Sequence, residues 1–170
     1  MTSQPDDTRE AELQAFWEVA LVRANLNRLN VYTGPTPLDS LRPPDWSFGA
    51  TPEQADALLA LVLEGTKTAT ASALWDFETD GEELPRAGDL AILTDGAGHP
   101  RALIAVTDVR IVPFEEVTEE HAFAEGEGDR SLAHWREVHR HFFTEHRSHD
   151  REFAPGMPVV CESFRVLHTS

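Results

Sequence analysis

Apolar residues recur at spacings of three and four in several parts of the chain, and this period predicts amphipathic helices. A first helix is predicted over residues 6–29, with its apolar face formed by Leu13, Phe16, Trp17, Ala20, Leu21, Ala24 and Leu26. A second follows Thr51-Pro52-Glu53-Gln54, which supplies an N-cap, a proline at the first helical position and a capping-box glutamine. It ends at Gly65. A third begins after the N-cap Ser131 and carries the apolar stripe Leu132, Trp135, Val138, Phe142 and Phe143.

Strands are predicted in the middle of the chain and at its end. Residues 90–94 and 102–112 flank the turn sequence Asp95-Gly96-Ala97-Gly98 and predict a hairpin of two core strands. A last strand is predicted over residues 158–167, and a short helix over residues 118–124. The order of helices and strands predicts an α+β fold with a small mixed barrel or a curled sheet.

A proline-rich segment, residues 32–49, separates the first two helices. Its four prolines are Pro35, Pro37, Pro43 and Pro44, so we predict a long connection without regular structure. Trp46 and Phe48 are expected to hold this segment to the core. Its length would also let it serve as a lid over a binding cleft.

Composition and charge narrow the possible functions. Fourteen Lys and Arg against thirty Asp and Glu give a net charge of −16, which argues against a broad face for duplex nucleic acid or an anionic membrane. The single cysteine, Cys161, excludes an intramolecular disulfide and a cysteine-cluster zinc site, and is expected to be a small buried hydrophobe. Neither an export signal nor a membrane span is predicted, and we expect a cytoplasmic protein.

The first candidate for chemistry is Gly65-Thr66-Lys67-Thr68-Ala69-Thr70, where an ammonium and a hydroxyl lie three residues apart. It is not a phosphate-binding P-loop, because a helix precedes it where a P-loop needs a strand, and its glycine lies two residues before the lysine. If Lys67 is desolvated against the core, it can lose its proton near neutral pH and activate Thr70 or a water molecule. In the alternative, Lys67 is solvated on a surface strand. The burial of Lys67 decides between the two.

The second candidate is the loop over residues 125–129, which carries Glu125, Glu127 and Asp129 around two glycines. These carboxylates can supply a general base or bind a divalent cation. In the alternative, the loop is an acidic capping turn in which Asp129 and Ser131 are stabilised at the start of the next helix.

Histidines and one tryptophan complete the candidates. Six of the eight histidines lie between His121 and His149, and those on the third predicted helix lack the spacing of a zinc pair. We therefore predict a histidine cluster at the surface. Trp75 either stacks on a planar ligand or belongs to the core.

Four segments together resemble the ASCH domain family: Gly65-x-Lys67-Thr68-x-Thr70, Gly88-Asp89-Leu90, Val109-x-x-Val112-Pro113-Phe114, and the long motif over residues 125–139. The resemblance covers residues 58–167 and extends into the N-terminal helix found in longer members. It implies a small mixed β-barrel, similar to the RNA-binding PUA domain, flanked by helices. On this basis residues 51–170 are the ASCH domain, and residues 1–50 are a helix and connection packed on the barrel.

The resemblance also implies an activity. Short members of the family are hydrolases that remove the acyl group of N4-acylated cytidine with a lysine, a threonine and a glutamate, which match Lys67, Thr70 and Glu125 here. Either Lys67 accepts the proton of Thr70 while Glu125 positions Lys67 and shuttles a proton to the leaving nitrogen, or Glu125 is the base and Lys67 stabilises charge. We expect Trp75, Arg130 and Ser131 to bind the substrate, without a metal or other cofactor.

Two other functions stay open. Some family members are metal-dependent ribonucleases acting on single-stranded RNA. Here Lys67 and Ser131 match their positions, and Glu125, Glu127 and Asp129 would bind the metal, but Leu61 replaces a tyrosine of that group. The third function is a non-catalytic RNA-binding module with Trp75 as its stacking platform.

The local charge favours a nucleoside over a polynucleotide. Residues 115–130 hold seven carboxylates and one basic residue, which repel a phosphate backbone but not a neutral nucleoside. We therefore expect a small-molecule substrate and no membrane partner. Binding of single-stranded RNA and a homodimer stay open.

Overall fold

The structure, a computed structural model, describes residues 5–24 and 42–170. These residues form five helices, α1 (Pro5–Arg23), α2 (Pro52–Glu64), α3 (Leu74–Asp80), α4 (Glu119–Glu125) and α5 (Leu132–Glu145). They also form five strands, β1 (Asp45–Trp46), β2 (Ala69–Ala73), β3 (Leu90–Thr94), β4 (Pro100–Pro113) and β5 (Pro158–Thr169). A short 3₁₀ helix, Phe114–Glu116, follows β4. Most of the proline-rich connection, including any lid, and the predicted contact of Leu26 lie outside the described residues.

The five strands form one sheet in the order β1-β3-β4-β5-β2. Strand β1 pairs parallel with β3, whereas β3 with β4 and β2 with β5 are antiparallel pairs. The predicted α+β class and the hairpin of β3 and β4 are confirmed. The predicted barrel is not closed, because β1 and β2 are the outer strands of this sheet and β1 contributes only two residues.

Local sequence signals account for the helices that were predicted. Thr51 caps α2 by accepting a hydrogen bond from the Gln54 amide at 3.2 Å, and the Gln54 side chain accepts one from the Ala50 amide at 2.8 Å. Thr118 and Ser131 cap α4 and α5 in the same way, each accepting from the amide three residues later. These caps satisfy amide groups that the first helical turn leaves without partners.

Helix α1 extends to Arg23, and the last residues of the predicted helix, 25–29, lie outside the described residues. Two elements differ from the prediction. The segment predicted to be irregular contains β1, because Asp45 and Trp46 gain strand structure by pairing with Ile92 and Leu93. Helix α3, which follows β2 directly and buries no residue completely, was not predicted.

The described residues divide into two compact units, each with its own apolar core. The first unit draws on Met1–Leu59, Leu90–Ala105 and Val166–Ser170. Its core contains residues of α1 together with Ile92 and Leu103. Phe48 is buried in this unit as predicted, and its ring meets that of half-buried Trp46 edge-on at 4.8 Å.

The second unit, Ala60–Asp89 with Val106–Arg165, carries the predicted site residues. Its core centres on aromatic rings of α5 and the 3₁₀ helix, with Phe114 at 5.2 Å from Trp135 and 6.3 Å from Phe143 between ring centroids. Cys161 of β5 packs in this core, as predicted for a buried thiol, and its burial together with the charge of Glu125 raises its pKa to about 12. None of the helices in the described ranges is long and apolar enough to cross a membrane.

Candidate active site

Lys67 lies where the chain turns from α2 into β2. Gly65 has a left-handed φ of 82°, and the Lys67 amide donates to the Leu61 carbonyl at 3.0 Å, which turns the chain back toward the core. Only 2% of Lys67 is exposed. The alternative of a solvated surface lysine is therefore wrong, and the side chain is buried as the chemical alternative requires.

The Lys67 ammonium meets the loop that follows α4. Its Nζ lies 3.4 Å from the backbone carbonyl oxygen of Glu125 and 3.4 Å from Oε1 of Glu127. A buried charge is tolerated only when acceptors and an opposite charge replace its hydration. The loop supplies both, so two predicted site regions far apart in sequence come together.

The Glu125 carboxylate is more deeply enclosed, with 1% of the residue exposed. Its Oε1 accepts a hydrogen bond from Nε2 of His121 at 2.9 Å. Its Oε2 accepts one from the Trp135 indole nitrogen at 2.7 Å and faces Nε2 of His139 at 3.0 Å. His121 and Glu125 are one turn apart on α4, and Trp135 and His139 one turn apart on α5, so each pair lies on one helix face.

His139 and Glu125 form a buried ion pair. Nδ1 of His139 faces the Trp135 carbonyl oxygen at 2.9 Å while Nε2 faces the carboxylate, so both ring nitrogens have acceptor partners. Burial acts to lower the pKa of His139, but the charge and hydrogen bond of Glu125 outweigh it, and the pKa is raised. Burial likewise acts to raise the pKa of Glu125, but His139, His121 and Lys67 together lower it. Both shifts favour the charged forms of the pair.

Gly126 fixes the course of the loop between α4 and α5. Its φ of 74° is left-handed, and an added Cβ would lie 2.5 Å from the Thr66 carbonyl oxygen. Ser131 N donates to Asp129 Oδ1 at 2.9 Å, and the Ser131 hydroxyl, followed by this backbone contact, lowers the pKa of Asp129. For Asp129 and Ser131, the alternative of an acidic capping turn is thus confirmed, whereas Glu125 and Glu127 face Lys67 and the histidines.

Thr70 lies in the middle of β2 and is half-buried. Its neighbours Ala71 and Ala73 pack against the core cluster around Trp135. Because side chains alternate along a strand, Thr70 lies on the opposite face of β2, directly across from Glu162 of β5. Lys67 thus contacts the backbone of Glu125, whereas Thr70 presents its hydroxyl on the face of β2 that is turned away from the core cluster around Trp135.

The three predicted substrate-binding residues all belong to the second unit, where each makes contacts of its own. Arg130 stacks its guanidinium 3.5 Å above the Phe123 ring and donates to the Phe123 carbonyl at 3.0 Å. The Trp75 ring on α3 meets His149 edge-on at 5.2 Å and has the Arg151 guanidinium at 4.8 Å. Ser131 caps α5. Their binding of substrate remains a prediction.

The prediction of a surface histidine cluster is wrong for His121, His139 and His149. His139 and His149 are buried, and the His121 side chain is only 12% exposed. The usable signals were the spacing of four between His121 and Glu125 and between Trp135 and His139, which places each pair on one helix face.

Ligand atoms of Glu125, Glu127 and His139 lie within 4.8 Å of one another, so they are the described residues best placed to hold a metal ion. Their present partners compete with that role. The Lys67 ammonium already pairs with Glu127, and His139 donates to Glu125 through the nitrogen that a metal would need. A divalent cation could bind only by displacing Lys67 and a proton of His139.

Comparison with known proteins agrees with this architecture. A family model described as ASCH domain matches residues 45–168. The crystal structure of protein EF3133 from Enterococcus faecalis V583 is 35% identical, with a TM-score of 0.76, and the match covers 92% of this chain and 88% of that one. The high-resolution crystal structure of an ASCH domain from Lactobacillus crispatus JV V101 is 30% identical, with a TM-score of 0.76 and coverage of 92% and 94%. No curated protein matches the chain.

Proposed function

The chain belongs to the ASCH domain family, and we propose that it is a hydrolase that cleaves the amide bond of an N4-acylated cytidine or a related modified nucleoside. The family supports a hydrolase or an RNA-related role, and the amide bond is the finer part of the proposal. One observation carries it: a buried lysine lies 3.4 Å from the backbone carbonyl oxygen of a buried, ionised glutamate, at the entry to the strand that bears Thr70.

Buried charges of this kind are costly to maintain. Removing a carboxylate or an ammonium from water costs several kcal/mol per ion even after the protein relaxes, and its partners offset this cost only when their geometry is good. Clusters of perturbed groups are concentrated at functional sites because catalysis needs fixed charges in a site from which water is excluded. Lys67, with 2% exposure, and Glu125, with 1%, meet this description.

Three residues carry the proposed reaction. Thr70 Oγ1 attacks the acyl carbonyl carbon, and the Lys67 ammonium stabilises the negative charge that develops on the carbonyl oxygen. Glu125 serves as a fixed negative charge that, with Glu127, holds Lys67 in place. Of the two roles open for Glu125, this one fits better, because its lowered pKa and its three hydrogen-bond donors make it a poor proton acceptor.

The substrate class follows from charge. Glu115, Glu116, Glu119 and Glu120 precede the loop and are exposed, so a phosphate chain would be repelled at this side of the second unit. A neutral nucleoside meets no such penalty and needs only stacking and a few hydrogen bonds.

The test compares two variants that each remove a hydroxyl group from the same face of β2. Purified protein is mixed with N4-acetylcytidine, and released cytidine is quantified by chromatography. Thr70→Ala should abolish release, whereas Ser72→Ala, which removes a hydroxyl from the same face of β2, should retain it. Lys67→Met should lower kcat by on the order of 10²–10³, the usual effect of losing one group that stabilises an oxyanion. Release by Thr70→Ala at the wild-type rate would refute the proposal.

A metal-dependent ribonuclease is the second candidate, and it rests on the ligand atoms of Glu125, Glu127 and His139. It predicts cleavage of single-stranded RNA that requires a divalent cation and is insensitive to Thr70→Ala. Binding of the same RNA without cleavage, by protein that releases no cytidine, would instead support the RNA-binding module.

A further inference from the structure

We propose that Glu162 is the proton-transferring residue of the reaction, accepting the hydroxyl proton of Thr70 and returning it to the departing nitrogen. This inference rests on the proposed function for its chemistry, but the pairing of Glu162 with Thr70 can be tested without turnover. No sequence motif marks Glu162, because the residue lies in an apolar strand remote from the motifs.

Strand pairing brings the two residues together. In the antiparallel pair of β2 and β5, Thr70 is the direct partner of Glu162. Directly opposed residues share a face of the sheet and have Cβ atoms about 4.5–5.5 Å apart. The threonine hydroxyl is one bond from its Cβ and the glutamate carboxyl carbon two bonds from its own, so rotation of the two side chains can bring the carboxylate toward the hydroxyl.

The surroundings of Glu162 suit a proton carrier. On the same face of β5 its neighbours Val160 and Phe164 are buried and apolar, and on β2 the neighbour of Thr70 is the uncharged Ser72. Burial, together with the negative charge of Asp89, raises the pKa of Glu162 to about 7.

Strand β4, the other neighbour of β5, carries the charged residues Asp108 and Arg110, which are exposed and pair with each other at 2.9 Å. Asp89 is held as an acceptor by the Arg86 amide at 2.8 Å. A carboxyl group that titrates near the working pH can both accept and return a proton, which a strongly acidic carboxylate does poorly.

The steps balance without a cofactor. The Glu162 carboxylate takes the hydroxyl proton as Thr70 Oγ1 bonds to the acyl carbon, and the carbonyl π pair moves onto oxygen beside Lys67. When this electron pair re-forms the carbonyl double bond, the C–N4 bond breaks and the Glu162 carboxyl group protonates N4. Cytidine is released, and an acyl ester stays on Thr70. Water then attacks the ester, Glu162 takes a water proton, the C–Oγ1 bond breaks, and the proton returns to Oγ1. The net reaction is amide plus water to amine plus carboxylic acid.

The first arm of the test needs no substrate. The pKa of Glu162 is measured by carbon-detected NMR in the wild type and in Thr70→Val, which replaces the hydroxyl with a methyl group of similar size. If the hydroxyl donates to the carboxylate, its loss disfavours the charged form and raises the pKa of Glu162. An unchanged pKa in Thr70→Val overturns the inference, whether or not the protein is a hydrolase.

The second arm measures kcat and KM against pH with N4-acetylcytidine. The wild-type rate should rise with pH through the Glu162 pKa, because the reaction begins from the carboxylate. Glu162→Gln should lower kcat by on the order of 10²–10⁴ with KM retained and should lose this rise. Glu162→Asp should keep the rise at lower activity, and the exposed control Glu83→Gln should match the wild type.

The two failures are distinguishable. An active wild type whose Glu162→Gln variant keeps kcat and the pH profile overturns the role of Glu162 and leaves the hydrolase standing. An inactive wild type in which Thr70→Val raises the Glu162 pKa overturns the hydrolase and supports the Thr70–Glu162 pair.

Discussion

Glu125→Gln isolates the negative charge at the centre of the buried network. The glutamine keeps the size of the side chain, but its NH2 group replaces one oxygen that now accepts from His121, or from Trp135 and His139. One buried donor is then left facing another, and His139 loses its counter-charge. Removing one partner of a buried ion pair costs about 3–5 kcal/mol, a large part of the roughly 5–15 kcal/mol that holds a domain folded.

The pH dependence of this loss follows from the two pKa shifts. The pKa of Glu125 is lowered in the folded protein, so its contribution is present above its ordinary value of 4.5 and disappears as pH falls. The pKa of His139 is raised, so its contribution is present below its ordinary value of 6.5 and disappears as pH rises through the folded value. The variant should therefore be most destabilised near pH 6 and less so in alkaline solution.

Urea unfolding followed by tryptophan fluorescence measures the free energy of unfolding near pH 6 and in alkaline solution. Glu120→Gln is the matched control, because Glu120 lies exposed on the same helix and its substitution should change stability by no more than about 0.5 kcal/mol. A Glu125→Gln deficit as small as that of the control near pH 6 would refute the ion-pair account. So would a deficit that does not change with pH.

Further predictions concern the same second unit. Trp135→Phe removes the indole donor at 2.7 Å from Glu125 and should lower the free energy of unfolding by about 1.5–3 kcal/mol, as measured with urea. An unchanged urea midpoint would show that this hydrogen bond is dispensable. Gly126→Ala should lower the melting temperature clearly more than Gly81→Ala, because both have positive φ but only Gly126 has backbone within 2.5 Å of the added Cβ; equal losses would contradict this. The pKa of Cys161 is raised to about 12, so the thiol should resist iodoacetamide at neutral pH in the native protein and react after unfolding in urea. Mass spectrometry measures the labelling, and rapid labelling of the native protein would contradict the burial of Cys161.

The parts of the fold that depend on local signals could be predicted from the sequence. The cap at Thr51 and the cap at Ser131 mark the starts of α2 and α5 because they act within one helical turn. The turn between β3 and β4 is equally local, since Asp95 accepts from the amides of Ala97 and His99 within the turn itself.

The remaining parts depend on pairing between distant segments. Strand β1 has only two residues and owes its structure to β3, so no pattern within residues 45–46 marks it. The motif matched Lys67 and Glu125, but their contact requires the loop after α4 to fold against the end of α2. The face shared by Thr70 and Glu162 is set by the register of β2 against β5, which one sequence does not specify.

The central claim is that Thr70 carries a metal-independent hydrolysis of an acylated nucleoside. Its most direct test is the release of cytidine from N4-acetylcytidine by protein treated with excess chelator, measured beside Thr70→Ala under the same conditions. The account predicts release that persists in chelator and vanishes in the variant. Release that stops with chelator, or that continues in Thr70→Ala, would contradict it.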